Sequence, residues 1–325
     1  MSTTIRFDNR VAIITGAGNG LGKDYALEMA KRGAKIVVND LGGSAVGKGA
    51  SHSAADLVVE QIREEGGEAV ANYDSVASAT GGKAIVQTAL DAFGKVDICI
   101  CNAGFLRNNR FEDMDEEQLD AILDVHLKGS FYVAQPAYRE MKKHNYGRIL
   151  FTGSSSAMFG HAWQANYASA KGGLMGLSHI VAIEGSAYGI KSNLIMPNAE
   201  SRLAGVMGEG YLEIPEFAEK IANADFSASE GRLTPCFNTP MALYLVSEQC
   251  QSTHGIYSAN SGRYAKVRIC AADGWVSPAG TVPPSTEDIA EHFQQICDSS
   301  VWHEPLTIPD EFNVVAETAR RQGVI

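Results

Sequence analysis

Tyr167 and Lys171 stand four residues apart within ANYASAKGG (165–173), a run otherwise built from Ala, Asn, Ser and Gly. In a helix that spacing puts a phenol and an ammonium on one face. A free tyrosine ionises near ~10 and exchanges protons poorly at neutral pH. A neighbouring cation favours the phenolate and brings the group toward the range of a general acid/base. Proton exchange also needs something to hold the oxygen that gains or loses the proton. Ser154, thirteen residues earlier, closes the apolar run GRILFTGS (147–154) and is the candidate. The alternative is that Ser154–Ser156 are turn residues and the Tyr–Lys pair an exposed helical contact.

A second constellation weighs against that alternative. TGAGNGLG (15–22) follows the apolar run VAIIT and opens a helical pattern. Glycines in that context permit a tight turn and let a pyrophosphate approach a helix N-terminus. Gly16, Asn19, Gly20, Leu21 and Gly22 would line such a turn. Asp40 ends the next strand pattern, where a carboxylate can accept hydrogen bonds from both hydroxyls of an adenosine ribose. It would repel a phosphate on that ribose, and neither Leu41 nor Asn19 supplies a cation to receive one, so the residues predict NAD over NADP. GGSAVGKG (42–49) nearly spells the phosphate loop G-x-x-x-x-G-K-[ST], but Gly49 replaces the hydroxyl that would hold Mg²⁺. Residues 41–53 read as a flexible surface loop, not as an ATP site.

The elements that must position these groups are legible as alternating patterns. VAIIT (11–15), KIVVND (35–40), EAVANYD (68–74), VDICICNAG (96–104), GRILFTGS (147–154), IKSNLIMPN (190–198) and GIYSAN (255–260) read as strands. They are apolar without polar alternation, the mark of parallel strands buried on both faces. Gly33, Gly66, Gly94, Asn145 and Gly189 punctuate the helices between them. Leu21, Tyr25 and Met29 give the first helix one apolar stripe. The fold class expected is α/β, a doubly wound parallel sheet of seven strands with helices on both faces. Residues 1–275 form this dinucleotide-binding and catalytic domain, with a long insert over 201–237. Residues 276–325 form a C-terminal extension, Pro-rich at first and helical from Ser285, with Ser285 or Thr286 as its cap.

Composition narrows the function classes. The chain has 325 residues and a formal net charge of -11, without a basic cluster, so nucleic acid is not an expected partner. There is no run of roughly 18 apolar residues to span a membrane. The N-terminus lacks the apolar core of a signal peptide, and the C-terminal RRQGVI is not a Ser-Lys-Leu type address. The six cysteines are scattered and form no metal-spaced pairs. The expectation is a cytoplasmic enzyme with no metal site and a small-molecule substrate.

TGAGNGLG, CNAG (101–104), Ser154 and YASAK (167–171), in that order and spacing, resemble the short-chain dehydrogenase/reductase family over roughly residues 6–275. The resemblance implies a Rossmann-type fold and carries roles onto matching residues. Ser154 orients the substrate oxygen, Tyr167 exchanges its proton, and Lys171 lowers the tyrosine pKa and holds the nicotinamide ribose. Asn102, Ala103 and Gly104 lie along the cofactor, Asp74, Ser75 and Val76 flank the adenine, and Pro197 and Asn198 meet the nicotinamide side. VVNDLGG, VHLKGSF, QANYASAKGGLMGL and MPNAESRL are similar to the (3R)-hydroxyacyl-CoA dehydrogenase module of peroxisomal multifunctional enzymes and to bacterial relatives acting on acyl-CoA or steroid-CoA thioesters.

That subgroup implies NAD-dependent oxidation of a (3R)-3-hydroxyacyl-CoA in β-oxidation and a homo-oligomer, a dimer ahead of a tetramer. The small-residue helix around 165–178 would suit contact across a two-fold axis. The alternatives are a steroid or other bulky-alcohol dehydrogenase without CoA, a sugar-nucleotide epimerase, which the glycine spacing argues against, and a non-catalytic NAD-binding protein. Two departures stand out. His126 occupies the place where the family often has the Asn of a proton relay, and within the insert the stretch 204–232 is longer than the subgroup's loop and differs in character. Arg202, Arg232, Arg263, Lys266 and Arg268 are the cations available to CoA phosphates.

Overall fold

The computed structural model describes residues 4–44, 46–199, 210–278, 280 and 282–325. Contacts divide the chain into two compact units, Met1–Lys266 and Val267–Ile325.

The first unit is built on an eight-stranded sheet in the order β3-β2-β1-β4-β5-β6-β7-β8. Its strands are β1 (Val11–Thr15), β2 (Lys35–Asn39), β3 (Glu68–Asn72), β4 (Ile98–Cys101), β5 (Gly147–Thr152), β6 (Ile190–Asn198), β7 (Gly255–Asn260) and β8 (Arg263–Val267). The first seven are the expected strands, and each neighbouring pair among them runs parallel. Every residue of β1, β4 and β5 is buried, as continuous apolar runs require. The eighth strand was not expected. Ser261 (φ +51°) and Gly262 (φ +79°) both adopt the left-handed region, which is the two-residue reverse turn of a tight hairpin. The turn returns RYAKV to the sheet as an edge strand, largely exposed and carrying Arg263 and Lys266.

Helices connect the parallel strands, as crossovers between parallel neighbours require. They are α1 (Gly20–Lys31), α2 (Ser53–Glu64), α3 (Ala79–Phe93), α4 (Glu116–Leu123), α5 (Gly129–His144), α6 (Ser155–Phe159), α7 (Ala165–Gly185), α8 (Pro215–Ala222) and α9 (Thr239–Val246). Tyr25 and Met29 of α1 are fully buried in the core with Ile14, Ile36 and Ile100, each such side chain contributing roughly 1.5–3 kcal/mol. The five residues expected to punctuate helices all have φ between +51° and +93°. Between α4 and α5, residues Asp124–Lys128 widen into one π-helical turn, a local feature that commonly marks a functional site. No helix among the described residues is long and apolar enough to cross a membrane. Of the insert, 201–209 and Arg202 lie outside the described residues; α8 and short 3₁₀ turns make up much of the rest.

The second unit contains β9 (Ala271–Ala272), α10 (Thr286–Glu291), α11 (Phe293–Ile296), β10 (Trp302–His303) and α12 (Ile308–Arg321). β9 and β10 pair antiparallel. Asp273 gathers the unit, accepting from Thr318 Oγ1 at 2.7 Å, His303 Nε2 at 3.0 Å and Arg321. Ser285 is the cap, accepting from the Asp288 amide at 3.1 Å. The single helix expected from Ser285 instead breaks at His292. That ring stacks on Trp275 at 4.2 Å and its Nδ1 lies 2.8 Å from the Asp288 carbonyl, competing with the helical ladder.

Candidate active site

Six adjacent parallel strands end on one edge of the sheet, and the sequence-predicted site residues stand at or just beyond those ends. Gly16–Gly22 follow β1, Asp40 follows β2, Asp74–Val76 follow β3, Asn102–Gly104 follow β4, Ser154 follows β5, and Pro197 and Asn198 end β6. The carboxyl edge is where open α/β sheets bind ligands, at the point where strand order reverses, here between β1 and β4.

The glycine turn is shaped by contact. A Cβ on Gly16 (φ +65°) would lie 2.7 Å from Ala103 Cα, and one on Gly22 would lie 2.3 Å from the Gly16 carbonyl oxygen. Asn102 locks the turn from β4, donating Nδ2 to the carbonyls of Thr15 at 3.1 Å and Gly16 at 3.2 Å. The Thr15 hydroxyl accepts from the Asn102 and Ala103 amides at 3.0 and 3.1 Å. Asn19 is the cap of α1, with Gly20 and Leu21 in its first turn. Gly18 N–H donates to Asp40 Oδ2 at 2.8 Å and Gly42 N–H to Asp40 Oδ1 at 2.7 Å. One carboxylate thus ties the turn to the loop after β2, and its remaining lone pairs stay available to other donors. Asn39 Nδ2 reaches the Asp74 carbonyl at 2.9 Å. Ser75 Oγ accepts from the Ala77 amide at 3.2 Å, and Val76 is buried beside Gly129. This cradle, closed to a Cβ and rimmed by backbone amides and a carboxylate, fits a dinucleotide.

Ser154 has extended backbone and caps α6, its Oγ accepting from the Ser156 amide at 3.1 Å. α7 brings Tyr167 and Lys171 to the same edge. Lys171 is buried and donates Nζ to the carbonyl of Thr152, the last residue of β5 and two before Ser154, at 2.5 Å. Its Nζ is 5.6 Å from the Tyr167 ring centroid. The expected lowering of the tyrosine pKa is not what this arrangement produces. Burial pushes the Tyr167 phenol above its ordinary value, a hydrogen bond with Ser154 opposing the rise. Burial also carries Lys171 down to about 7. A lysine only partly charged at neutral pH is a weak source of positive potential for its neighbour.

Several residues that serve this geometry were not singled out from sequence. Asn166 is buried and donates Nδ2 to the carbonyls of Arg107 at 2.9 Å and Gln118 at 3.0 Å, while its Oδ1 accepts from the Tyr167 amide at 2.7 Å. Asn238, fully buried, grips Asn198 from both sides, amide to Oδ1 at 3.1 Å and Nδ2 to carbonyl at 3.0 Å. The only sequence signal is an Asn inside an otherwise packed segment. His126, noted as a departure, is placed by the π-helical turn. Its Nε2 lies 3.1 Å from the Phe105 amide and 2.8 Å from the Phe105 carbonyl, and its ring meets Tyr167 edge-on at 5.2 Å. Burial, then the nearby Lys171, hold it well below the usual histidine range, so its ring is neutral. A Cβ on Gly104 would lie 2.2 Å from His126 Cε1.

The insert is fastened to segments flanking this edge. Glu213 pairs with Arg110, whose guanidinium lies 5.8 Å from the Trp163 ring, and Phe217 meets His161 edge-on at 5.1 Å. Phe111, Phe159 and Leu212 of these segments are exposed. Among the cations considered for CoA, Arg268 is paired with Glu304.

Comparison with known proteins supports the same family. A family model described as short chain dehydrogenase matches residues 10–201. The chain is 41% identical to peroxisomal multifunctional enzyme type 2 of Mus musculus over 322 residues, 99% of this chain and 41% of that protein. It is 41% identical to a short-chain type dehydrogenase/reductase of Mycobacterium tuberculosis, covering 90% of this chain and 95% of that one. Full-length peroxisomal multifunctional enzyme type 2 from Drosophila melanogaster superposes with a TM-score of 0.78 at 32% identity, covering 98% of this chain and 50% of that chain. The chain therefore spans about two fifths to half the length of the multifunctional relatives it matches.

Proposed function

The chain belongs to the short-chain dehydrogenase family, and from that premise we propose that it oxidises a (3R)-3-hydroxyacyl-CoA to the 3-oxoacyl-CoA with NAD, in the cytoplasm and as a homo-oligomer. The observation that carries the reading is the convergence of Ser154, Tyr167 and Lys171 with a carboxylate-tied glycine turn on one sheet edge. NAD, held by the glycine turn, Asn102 and Asp40, supplies the hydride acceptor. The Asp40 carboxylate favours ribose hydroxyls over a ribose phosphate, because a phosphate would meet it as a like charge.

In this reading Ser154 Oγ donates to the substrate oxygen, Tyr167 Oη takes the hydroxyl proton, and Lys171 Nζ holds the nicotinamide ribose. Asn166 holds the α7 main chain at the Tyr167 amide, and the Thr152 carbonyl holds the Lys171 ammonium. The exposed apolar side chains beside the site favour a substrate with a long or bulky apolar body. A phenol raised above its ordinary value is protonated at neutral pH. Proton uptake by Tyr167 therefore becomes easier as pH rises, and oxidation is expected to speed toward alkaline pH while the reverse reduction slows.

A second reading, oxidation of a bulky secondary alcohol without CoA, draws on the engagement of Arg268 by Glu304. One experiment separates them: NADH formation with (3R)-hydroxyacyl-CoAs of increasing length, a steroid side-chain hydroxyacyl-CoA and the matching free alcohols, with NADP in parallel. Turnover of thioesters with NAD is expected. Turnover of free alcohols alone would replace the substrate, and equal use of NADP would remove Asp40 from its role.

A further inference from the structure

The loop after β2 is not free on the surface: it ends on the ring of Phe105. Gly47 has φ +74°, and a Cβ built on it would lie 2.6 Å from Phe105 Cζ and 2.7–2.8 Å from the two adjoining ring carbons. The backbone therefore rests on the far end of that ring at a distance only glycine allows. Arg107 fastens the same stretch, donating Nε to the Val46 carbonyl at 3.2 Å while its Nη1 is held by Glu117 at 3.0 Å. At its other end the loop begins on Asp40, through the Gly42 amide.

Phe105 passes this contact inward. Its main-chain N–H and carbonyl both lie against His126 Nε2, and the His126 ring stands edge-on to Tyr167. The absence of a Cβ at Gly104 lets the main chain before Phe105 lie close against the His126 ring, where a Cβ would come within 2.2 Å of His126 Cε1. His126, Phe105 and Gly47 are thus contiguous from the reactive phenol to a loop tethered on Asp40.

We propose that Gly47 and Phe105 form a positioning contact for Tyr167: the loop seats Phe105, Phe105 seats His126, and the edge of the His126 ring sets the orientation of the phenol. None of the three touches the reacting atoms, and the inference rests on the reading of Tyr167 as the proton-transfer residue.

The loop carries its own control. Gly49 has φ +79°, and a Cβ there would meet nothing within 4 Å. Gly47→Ala and Gly49→Ala therefore impose a similar backbone cost, and only the first pushes on Phe105. Gly47→Ala is expected to lower kcat about tenfold to hundredfold, as small displacements of a reacting group do. The KM for NAD should hold within about twofold, and the pH profile of kcat should move, while Gly49→Ala keeps the wild-type values. Phe105→Leu, which removes the end of the ring, should leave Gly47→Ala little further effect, a non-additivity expected of residues in contact. Equal losses in both glycine variants, or a normal kcat in Gly47→Ala, would overturn the proposal.

A readout without turnover keeps it apart from the activity reading. The His126 ring resonances, assigned by their loss in His126→Asn, should shift in Gly47→Ala and not in Gly49→Ala. If the wild-type protein turns over none of the alcohols, the activity reading fails by itself. Identical His126 signals in Gly47→Ala and wild type would then still overturn the contact.

Discussion

At the scale of the residue, Lys171 is a buried amine whose ordinary value of 10.5 is carried down to about 7, chiefly by loss of solvent. Its bond to the Thr152 carbonyl satisfies one of three donors but brings no counter-charge. Between pH ~7 and ~10.5 the unfolded chain holds a proton at this site that the folded protein lacks. Stability therefore rises with pH across that window, by at most about 1.4 kcal/mol per unit, and the cost levels off below it. Lys171→Met is expected to stabilise the protein at pH 7 by on the order of 1–4 kcal/mol, as replacing a buried charge can, while depressing turnover. Urea unfolding at pH 7 and 9 tests this: the wild type should gain stability with pH and the variant should not. A less stable variant with an unchanged pH slope would mean that the lysine is charged and well paired. The four-residue spacing of Tyr167 and Lys171 was legible in the sequence because period is a property of the chain. The depth at which Lys171 lies, and so the sign of the tyrosine shift, was not, because burial belongs to the packed fold.

At the scale of the element, the same distinction separates what could be read from what could not. Seven strands announce themselves because each carries a short apolar run without polar alternation, and in β1, β4 and β5 every residue is buried. β8 is an edge strand of mixed polarity, and the Ser261–Gly262 turn that returns it carries no strong hairpin signal of the Asn-Gly kind. The π-helical turn holding His126 has no periodicity of its own, and the seating of Gly47 on Phe105 joins segments far apart in sequence. A further pairing of this type joins α7 to the start of β7, where His179 and His254 stack at 3.8 Å. His254 holds φ +62°, its amide donating to the Ser192 carbonyl at 2.7 Å. Burial, then His254, lowers His179 from 6.5 to about 4. This group's contribution to stability is fully present above pH ~6.5 and is lost as pH falls through the window to ~4. His179→Phe keeps a stacking ring without a proton to gain, so its melting temperature should fall less than the wild type's between pH 7 and 4.5. Equal falls would mean that the stack does not govern acid sensitivity.

At the scale of the whole molecule, α7 has two faces with different fates. Lys171, Leu174, Ser178 and Ala182 form its buried stripe, and Tyr167 lies on the same line. Gly172, Gly176, Ile180 and Ile183 form the other, since a Cβ on either glycine would meet nothing within 4 Å and the two isoleucines are 53% and 43% exposed. A stripe of small residues ending in exposed isoleucines lets a second helix approach closely, and two-fold pairing of like surfaces is the commonest closed assembly. The homo-oligomer proposed for this protein should therefore bury this face of α7. The double variant Ile180→Glu, Ile183→Glu places like charges against themselves across the axis and is expected to reduce the mass in solution to that of one chain, measured by light scattering. Because the opposite face of α7 holds Tyr167 and Lys171, turnover should fall along with the mass while the isolated chain remains folded by circular dichroism. A variant that keeps the wild-type mass would exclude this face from the interface, and a wild type already of single-chain mass would remove the homo-oligomer itself.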